Sequence, residues 1–119
     1  MAYVDGYVLP VPKKNLGAYR RMAQKAGRIW RKYGALEYYE CVGDDLNPKW
    51  ATIKFPKTVR AKPGETVVFS FVMFKSRAHR DKVNARVMQD PLMSSGANQE
   101  MPFDMKRMAY GGFKVLVEA

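Results

Sequence analysis

The chain has 119 residues, the length of one ordinary domain, 1–119, and too short for two of full size. Hydrophobic residues make up 47% of it, and two Trp, seven Tyr and six Phe supply enough apolar surface for a packed core, which argues against disorder. Twenty-one Lys plus Arg against eleven Asp plus Glu leave a charge of +10, which favours anionic partners without fixing a fold.

Tyr3 to Leu9 is rich in Tyr and Val and predicts a first strand ended by Pro10 and Pro12. From Asn15 to Tyr33, Leu16, Tyr19, Met22, Ala23, Ala26, Ile29, Trp30 and Tyr33 recur at helical spacing, and Gly34 supplies the stop. Gly17 and Gly27 each cost that helix about 1 kcal/mol relative to Ala, so it depends on packing against a sheet. Leu36 to Val42 reads as a second strand before the turn-prone residues 43–48, and Trp50 to Phe55, bounded by Pro56, reads as a short edge strand. Glu65 to Phe74 is the clearest strand. Ser76 then caps a helix to about Gln89, where Asp90-Pro91 stops it. A polar stretch from Leu92 to Asn98 leads to a last strand, Tyr110 to Val117, in which Gly111-Gly112 marks a bulge or, as the lesser reading, admits close backbone approach.

This β-α-β-β-α-β order is that of the ferredoxin-like split βαβ motif, an α+β fold. Right-handed crossovers give an antiparallel sheet in the order 4-1-3-2 with both helices on one face. The third strand is apolar on both sides, with Val67, Phe69, Phe71 and Met73 alternating against Val68, Ser70, Val72 and Phe74. Helices cover one side, and a second copy packed sheet to sheet covers the other, so a homodimer is expected.

Several chemistries are excluded. Cys41 is the only cysteine, so no intrachain disulfide forms; a buried, inert strand thiol in a reducing cytoplasm is the simplest reading. His79 is the only histidine, which removes His-pair metal motifs, and a structural place at the sheet edge is expected for it. No Walker loop or Gly-x-Gly-x-x-Gly follows the first strand, so no nucleotide cofactor is expected, nor any other cofactor or metal. The longest apolar run, Val67 to Phe74, is far short of the roughly twenty residues that span a bilayer, and residues 1–6 carry no export signal. A soluble, cytoplasmic protein without membrane contact is expected.

Two carboxylates, Asp5 and Glu40, stand in otherwise apolar or aromatic strands; capping a turn or pairing with Arg or Lys is the leading reading of each, and the candidate chemistry rests on the other, a site. The third strand separates them by about 10 Å, too far to share a proton but close enough to flank a ligand. Arg107 and Tyr110 are expected near Asp5 because the fourth strand pairs with the first. Asp5, Tyr7, Glu40, Arg107 and Tyr110 would then line a cleft for a small aromatic or anionic molecule, with Asp5 or Glu40 as base and Arg107 as charge clamp. Tyr7, Tyr38, Phe69 and Phe71 offer flat apolar contacts, equally at home in a core or interface. Asp104 is read as a turn cap. Whether such a cleft performs turnover or only binding is left open by the sequence, as is a purely structural or regulatory role for the dimer.

The basic helices carry a rival reading. Arg20, Arg21, Lys25, Arg28, Arg31 and Lys32 occupy the first helix with no acid from Lys13 to Tyr33; the second adds Arg77, Arg80, Lys82 and Arg86. The charge is read mainly as a solvated face, with weak, salt-sensitive binding of nucleic acid or another polyanion as its measurable consequence. The RNA-recognition motif shares the element order, but Val67-Val68 and Ser70 replace its basic-glycine opening and its small residue.

Three strings go further: Tyr3-Val4-Asp5-Gly6-Tyr7-Val8, Glu65-Thr66-Val67-Val68-Phe69-Ser70-Phe71, and the run from Met101-Pro102-Phe103-Asp104 to Tyr110-Gly111-Gly112-Phe113. With Gly34-Ala35, Glu40-Cys41 and Asp44-Asp45, the chain resembles the YbaA-like family of small bacterial proteins, a domain of unknown function. Met105 departs from the family pattern, which has Gly after Phe-Asp. The resemblance implies a dimeric α+β barrel, within a superfamily that includes cofactor-independent monooxygenases, isomerases, haem-handling enzymes and amino-acid-sensing domains. It implies no activity and no catalytic residue.

Overall fold

Residues 2–94 and 101–119 are described by a computed structural model. The chain runs through β1 (Tyr3–Pro12), α1 (Leu16–Lys32), β2 (Glu37–Val42), α2 (Phe55–Thr58) and β3 (Glu65–Phe74). It continues through α3 (Arg77–Gln89), α4 (Pro91–Ser94) and β4 (Ala109–Lys114). The strands form an antiparallel sheet in the order β2-β3-β1-β4, the expected ferredoxin-like α+β arrangement. None of the described helices is long and apolar enough to cross a membrane.

β1 is longer than the prolines suggest. β4 accompanies it only from Tyr3 to Val8, so Pro10 and Pro12 lie where β3 is its sole neighbour and a missing donor is tolerated. β3 has the expected bounds, because strands on both sides and apolar residues on both faces favour the same extended segment.

Both long helices lie on one side of the sheet. Tyr3, Val72 and Phe74 pack there with Ile29 of α1 and Val83 and Val87 of α3. Leu9, Val11 and Val68 pack with Tyr19 and Ala23 of α1. Gly34, at φ +113°, ends α1 in a conformation that side chains disfavour. Ser76 caps α3 by accepting a hydrogen bond from the His79 amide, and His79 Nδ1 in turn accepts from the Lys75 amide at 3.0 Å.

The opposite side of the sheet carries Val4, Val8, Tyr39, Cys41, Phe69, Phe71, Met73 and Phe113, as the register requires. Tyr39 is 51% exposed, Phe69 45% and Phe113 61%, so within a single copy this apolar face is open. Cys41 is exposed on it, contrary to the buried thiol expected, because the edge strand β2 has no layer over that side.

Other expectations change too. Trp50 to Phe55 forms no strand: Pro56 takes the second position of α2, where its fixed φ suits a helix start, and the apolar run ends in a helical turn. β4 ends at Lys114 rather than Val117 because Lys114 pairs with Tyr3, the first residue of β1. Pro91 both follows the end of α3 and begins α4, and the polar stretch expected from Leu92 continues at 95–98 outside the described residues. Gly111-Gly112 is not a bulge, since the register with Gly6 and Asp5 is unbroken. A Cβ at Gly112 would meet Tyr3 Cε2 at 2.8 Å, so close packing explains this glycine.

Candidate functional site

The pleat puts Glu40 of β2, Ser70 of β3, Tyr7 of β1 and Tyr110 of β4 in one lateral row on the helix-covered side. The neighbouring row holds Tyr38, Val72, Asp5 and Gly112. Five of the six site residues expected from sequence therefore share one surface. Arg107 does not join them.

At one end Glu40 is the centre. Tyr19 Oη, from α1, donates to its Oε1 at 2.7 Å, and Tyr38 Oη donates to its Oε2 at 2.7 Å. Burial, followed by Glu40 itself, holds both phenols protonated far above the ordinary tyrosine range. Glu40 has no cation within ion-pairing distance among the described residues. Two of the carboxylate's roughly four lone-pair directions stay free for a donor.

These residues form part of the wall of a groove of about 700 Å³ between α1 and β2. Ala23, Gly27 and Val68 add apolar lining, and Arg20, Arg28 and Arg31 of α1 bring positive charge to it. Gly27 is what lets α1 come this close: a Cβ there would lie 2.8 Å from Tyr38 Cδ1. The volume is that of an ordinary small-molecule site. Asp5, Tyr7, Tyr110 and Arg107 are not among its lining residues.

At the other end Asp5 is fully buried and pairs with Arg80 of α3, whose Nη1 donates to Asp5 Oδ1 at 2.9 Å and to Tyr110 Oη at 2.7 Å. The guanidinium carbon lies 4.9 Å from the centre of the Tyr3 ring. Arg80 Nε is 2.9 Å from Asp81 Oδ1 but out of hydrogen-bond alignment, and Asp5 Oδ2 has no hydrogen-bond partner among the described residues. Tyr7 stacks on Tyr110 with centroids 4.9 Å apart. Burial, then the charges of Asp5, Tyr110 and Glu40, raise the Tyr7 hydroxyl well above its usual range, with Arg80 opposing.

Arg107 sits elsewhere. Its Nη1 and Nη2 grip Glu65 at 2.7 and 2.8 Å, its Nε bonds Asp104 Oδ2 at 3.0 Å, and Nη1 also reaches the Arg60 carbonyl. The expected Asp5–Arg107 approach is replaced by Asp5–Arg80, because the turn before β4 folds toward the start of β3. Asp104 does cap that turn, accepting from the Lys106 amide at 3.0 Å.

A family model described as a protein of unknown function (DUF1428) matches residues 2–105. The chain belongs to this family. It is 42% identical over 118 residues, 99% of each chain, to the uncharacterized protein YbaA of Escherichia coli K12, and to the same extent to YbaA of Shigella flexneri. Among solved structures it is similar to Rv0793 from Mycobacterium tuberculosis, with TM-score 0.60 and 15% identity over 100% of this chain and 99% of that one. A dimeric ferredoxin-like protein from an uncultured marine organism gives TM-score 0.59 at 9% identity, covering all of both chains. At such identities the likeness concerns the fold alone.

Two residues of this DUF1428 chain escape sequence reading. Tyr19 belongs to the apolar stripe of α1, and only its meeting with Glu40 gives it a polar role. Arg80 looks like one more cation of a solvated helix, yet its side chain is only 13% exposed. The available signal was Asp5 itself, since a carboxylate inside a central strand requires a counter-ion. Among the described residues no three His, Cys, Asp or Glu side chains gather in a metal-binding cluster.

Proposed function

We propose that this protein binds a small aromatic or anionic molecule in the groove between α1 and β2. The observation that carries the reading is Glu40, a carboxylate without a counter-ion among the described residues, fixed by two phenols in the wall of a pocket of ligand size. A flat apolar body would lie along Ala23, Gly27 and Tyr38, an anionic group would meet Arg20, Arg28 or Arg31, and a hydroxyl or amine of the ligand would donate to Glu40. Asp5, engaged with Arg80, supports the sheet beside this groove, and Arg107 anchors the turn before β4.

Native mass spectrometry of the protein purified from its own host tests this directly. A discrete small-molecule mass that is retained by wild type and by Arg107→Ala, and lost in Glu40→Gln and Tyr19→Phe, is the expected outcome. A mass retained equally by the Glu40 and Tyr19 variants would remove the groove as the site. Copurified nucleic acid lost in Arg21→Glu with Arg28→Glu would move function to the basic face of α1.

We also propose that a second copy covers the open face. Exposed Tyr39, Phe69 and Phe113 favour this, as does the dimeric state named for the marine ferredoxin-like neighbour. Light scattering that gives only the monomer mass at micromolar concentration would refute it.

A further inference from the structure

The connector between β2 and β3 holds the most exposed aromatic side chain of the protein. Trp50 is 87% exposed, Ile53 78% and Phe55 51%, all within six residues. A connector has no folding reason of its own to present three large apolar side chains to water. Its second half does fold back: α2 packs on β3, and Val59 is buried, as are Val67 and Pro10 at the matching end of the open face. Neither Val59 nor Val67 belongs to the helix-side clusters. The connector thus closes one end of the open face and leaves Trp50, Ile53 and Phe55 outside it.

Area shows what those three residues add. With ten paired residues in each of β1 and β3 and six in each of β2 and β4, strands ~4.8 Å apart that rise ~3.4 Å per residue give a face of roughly 500 Å² in plan. A stable interface buries about 800 Å² per partner. The sheet face alone therefore falls short, and three large side chains, an aromatic one contributing about 150–250 Å², supply a shortfall of this size.

We propose that residues 46–57 form an arm that clasps a second copy of this chain, seating Trp50, Ile53 and Phe55 against the margin of the partner's sheet. The inference rests on the dimer reading above. A lipid surface is the other occupant for exposed Trp beside Lys49, Lys54 and Lys57; the area a stable dimer needs favours a second copy, and the test includes vesicles.

Trp30 and Trp50 are the two tryptophans, so Trp30→Phe leaves Trp50 as sole reporter. In this background, emission and acrylamide quenching are followed on dilution, beside sedimentation of Trp50→Ser and Phe71→Asp. The expected result is a dimer in which Trp50 is shielded and becomes quenchable on dilution, with Trp50→Ser raising the dimer Kd at least tenfold and Phe71→Asp giving monomer. A dimer with freely quenched Trp50 and unchanged Kd in Trp50→Ser overturns the arm and leaves the sheet dimer standing. A monomer at all concentrations overturns both. Shielding of Trp50 only on addition of phosphatidylglycerol vesicles overturns the arm in favour of lipid.

Discussion

Replacing Arg80 with Met removes the cation but keeps most of the side chain's apolar bulk. Asp5, fully buried, then loses the guanidinium that hydrogen-bonds its Oδ1, and its other oxygen has no hydrogen-bond partner among the described residues. Breaking a buried pair from one side costs about 3–5 kcal/mol, because a charge is left uncompensated in a low-dielectric site. With an unfolding entropy of roughly 2.1 cal/mol/K per residue, a 119-residue chain loses about 16 °C in Tm for 4 kcal/mol. Asp5→Asn with Arg80→Met removes both charges and should recover about half of the loss, a coupling of about 2 kcal/mol. Urea unfolding followed by circular dichroism, at one fixed protein concentration so that association does not confound the comparison, reads these differences. If Arg80→Met costs less than about 1 kcal/mol, or the double variant costs the sum of the single ones, Asp5 and Arg80 are not energetically coupled as a buried ion pair.

Glu65 supplies a pH signature. The bidentate grip of Arg107 holds its carboxyl down to about 2 from 4.5, aided by the Lys62 amide and opposed by burial. Because the folded value lies below the unfolded one, its stabilisation is fully present above pH 4.5 and is lost as pH falls toward 2. After allowance for solvent screening this is worth about 1–2 kcal/mol, so Glu65→Gln should be less stable than wild type at pH 6 and equal to it near pH 2. A gap independent of pH would contradict the assignment. Gly27→Ala sets two effects against each other: helix propensity gains about 1 kcal/mol, whereas a Cβ 2.8 Å from the Tyr38 ring forces a shift costing about 1–3 kcal/mol. The clash should win, giving a lower Tm and a weakened groove; a raised Tm would show that Tyr38 moves freely. Cys41 faces the open side beside Phe69, so labelling by a bulky thiol reagent should slow as protein concentration rises into the dimer range. A rate independent of concentration would count against coverage of that face.

What could be read from the sequence follows the range of the interaction responsible. β3 was legible to the residue because its composition, its alternation and its burial on both faces agree. Tyr38 and Glu40 stand two residues apart on β2, and the strand period of two puts them on one face. Trp50 to Phe55 misled because alternation without a neighbouring strand makes no sheet, and Pro56 better suits a helix start. Arg80 was hidden because its partner lies 75 residues away, and helix periodicity alone does not tell which cation turns inward.

The distribution of residues between the two faces carries the remaining argument. A two-layer protein acting alone would place polar residues on the uncovered side of its sheet and apolar ones beneath its helices. Here Glu40, Ser70, Tyr7, Tyr110 and Asp5 sit on the helix-covered side, while Phe69, Phe71, Met73, Tyr39 and Phe113 line the uncovered one. A register slip of one residue would exchange the two sets, so the pairing that turns the polar row toward the helices is the same pairing that presents the apolar face. The polar interior and the outward apolar face are therefore one property of the strand register. A substitution that shifts β1 against β3 should lose the Glu40 centre and the association surface together.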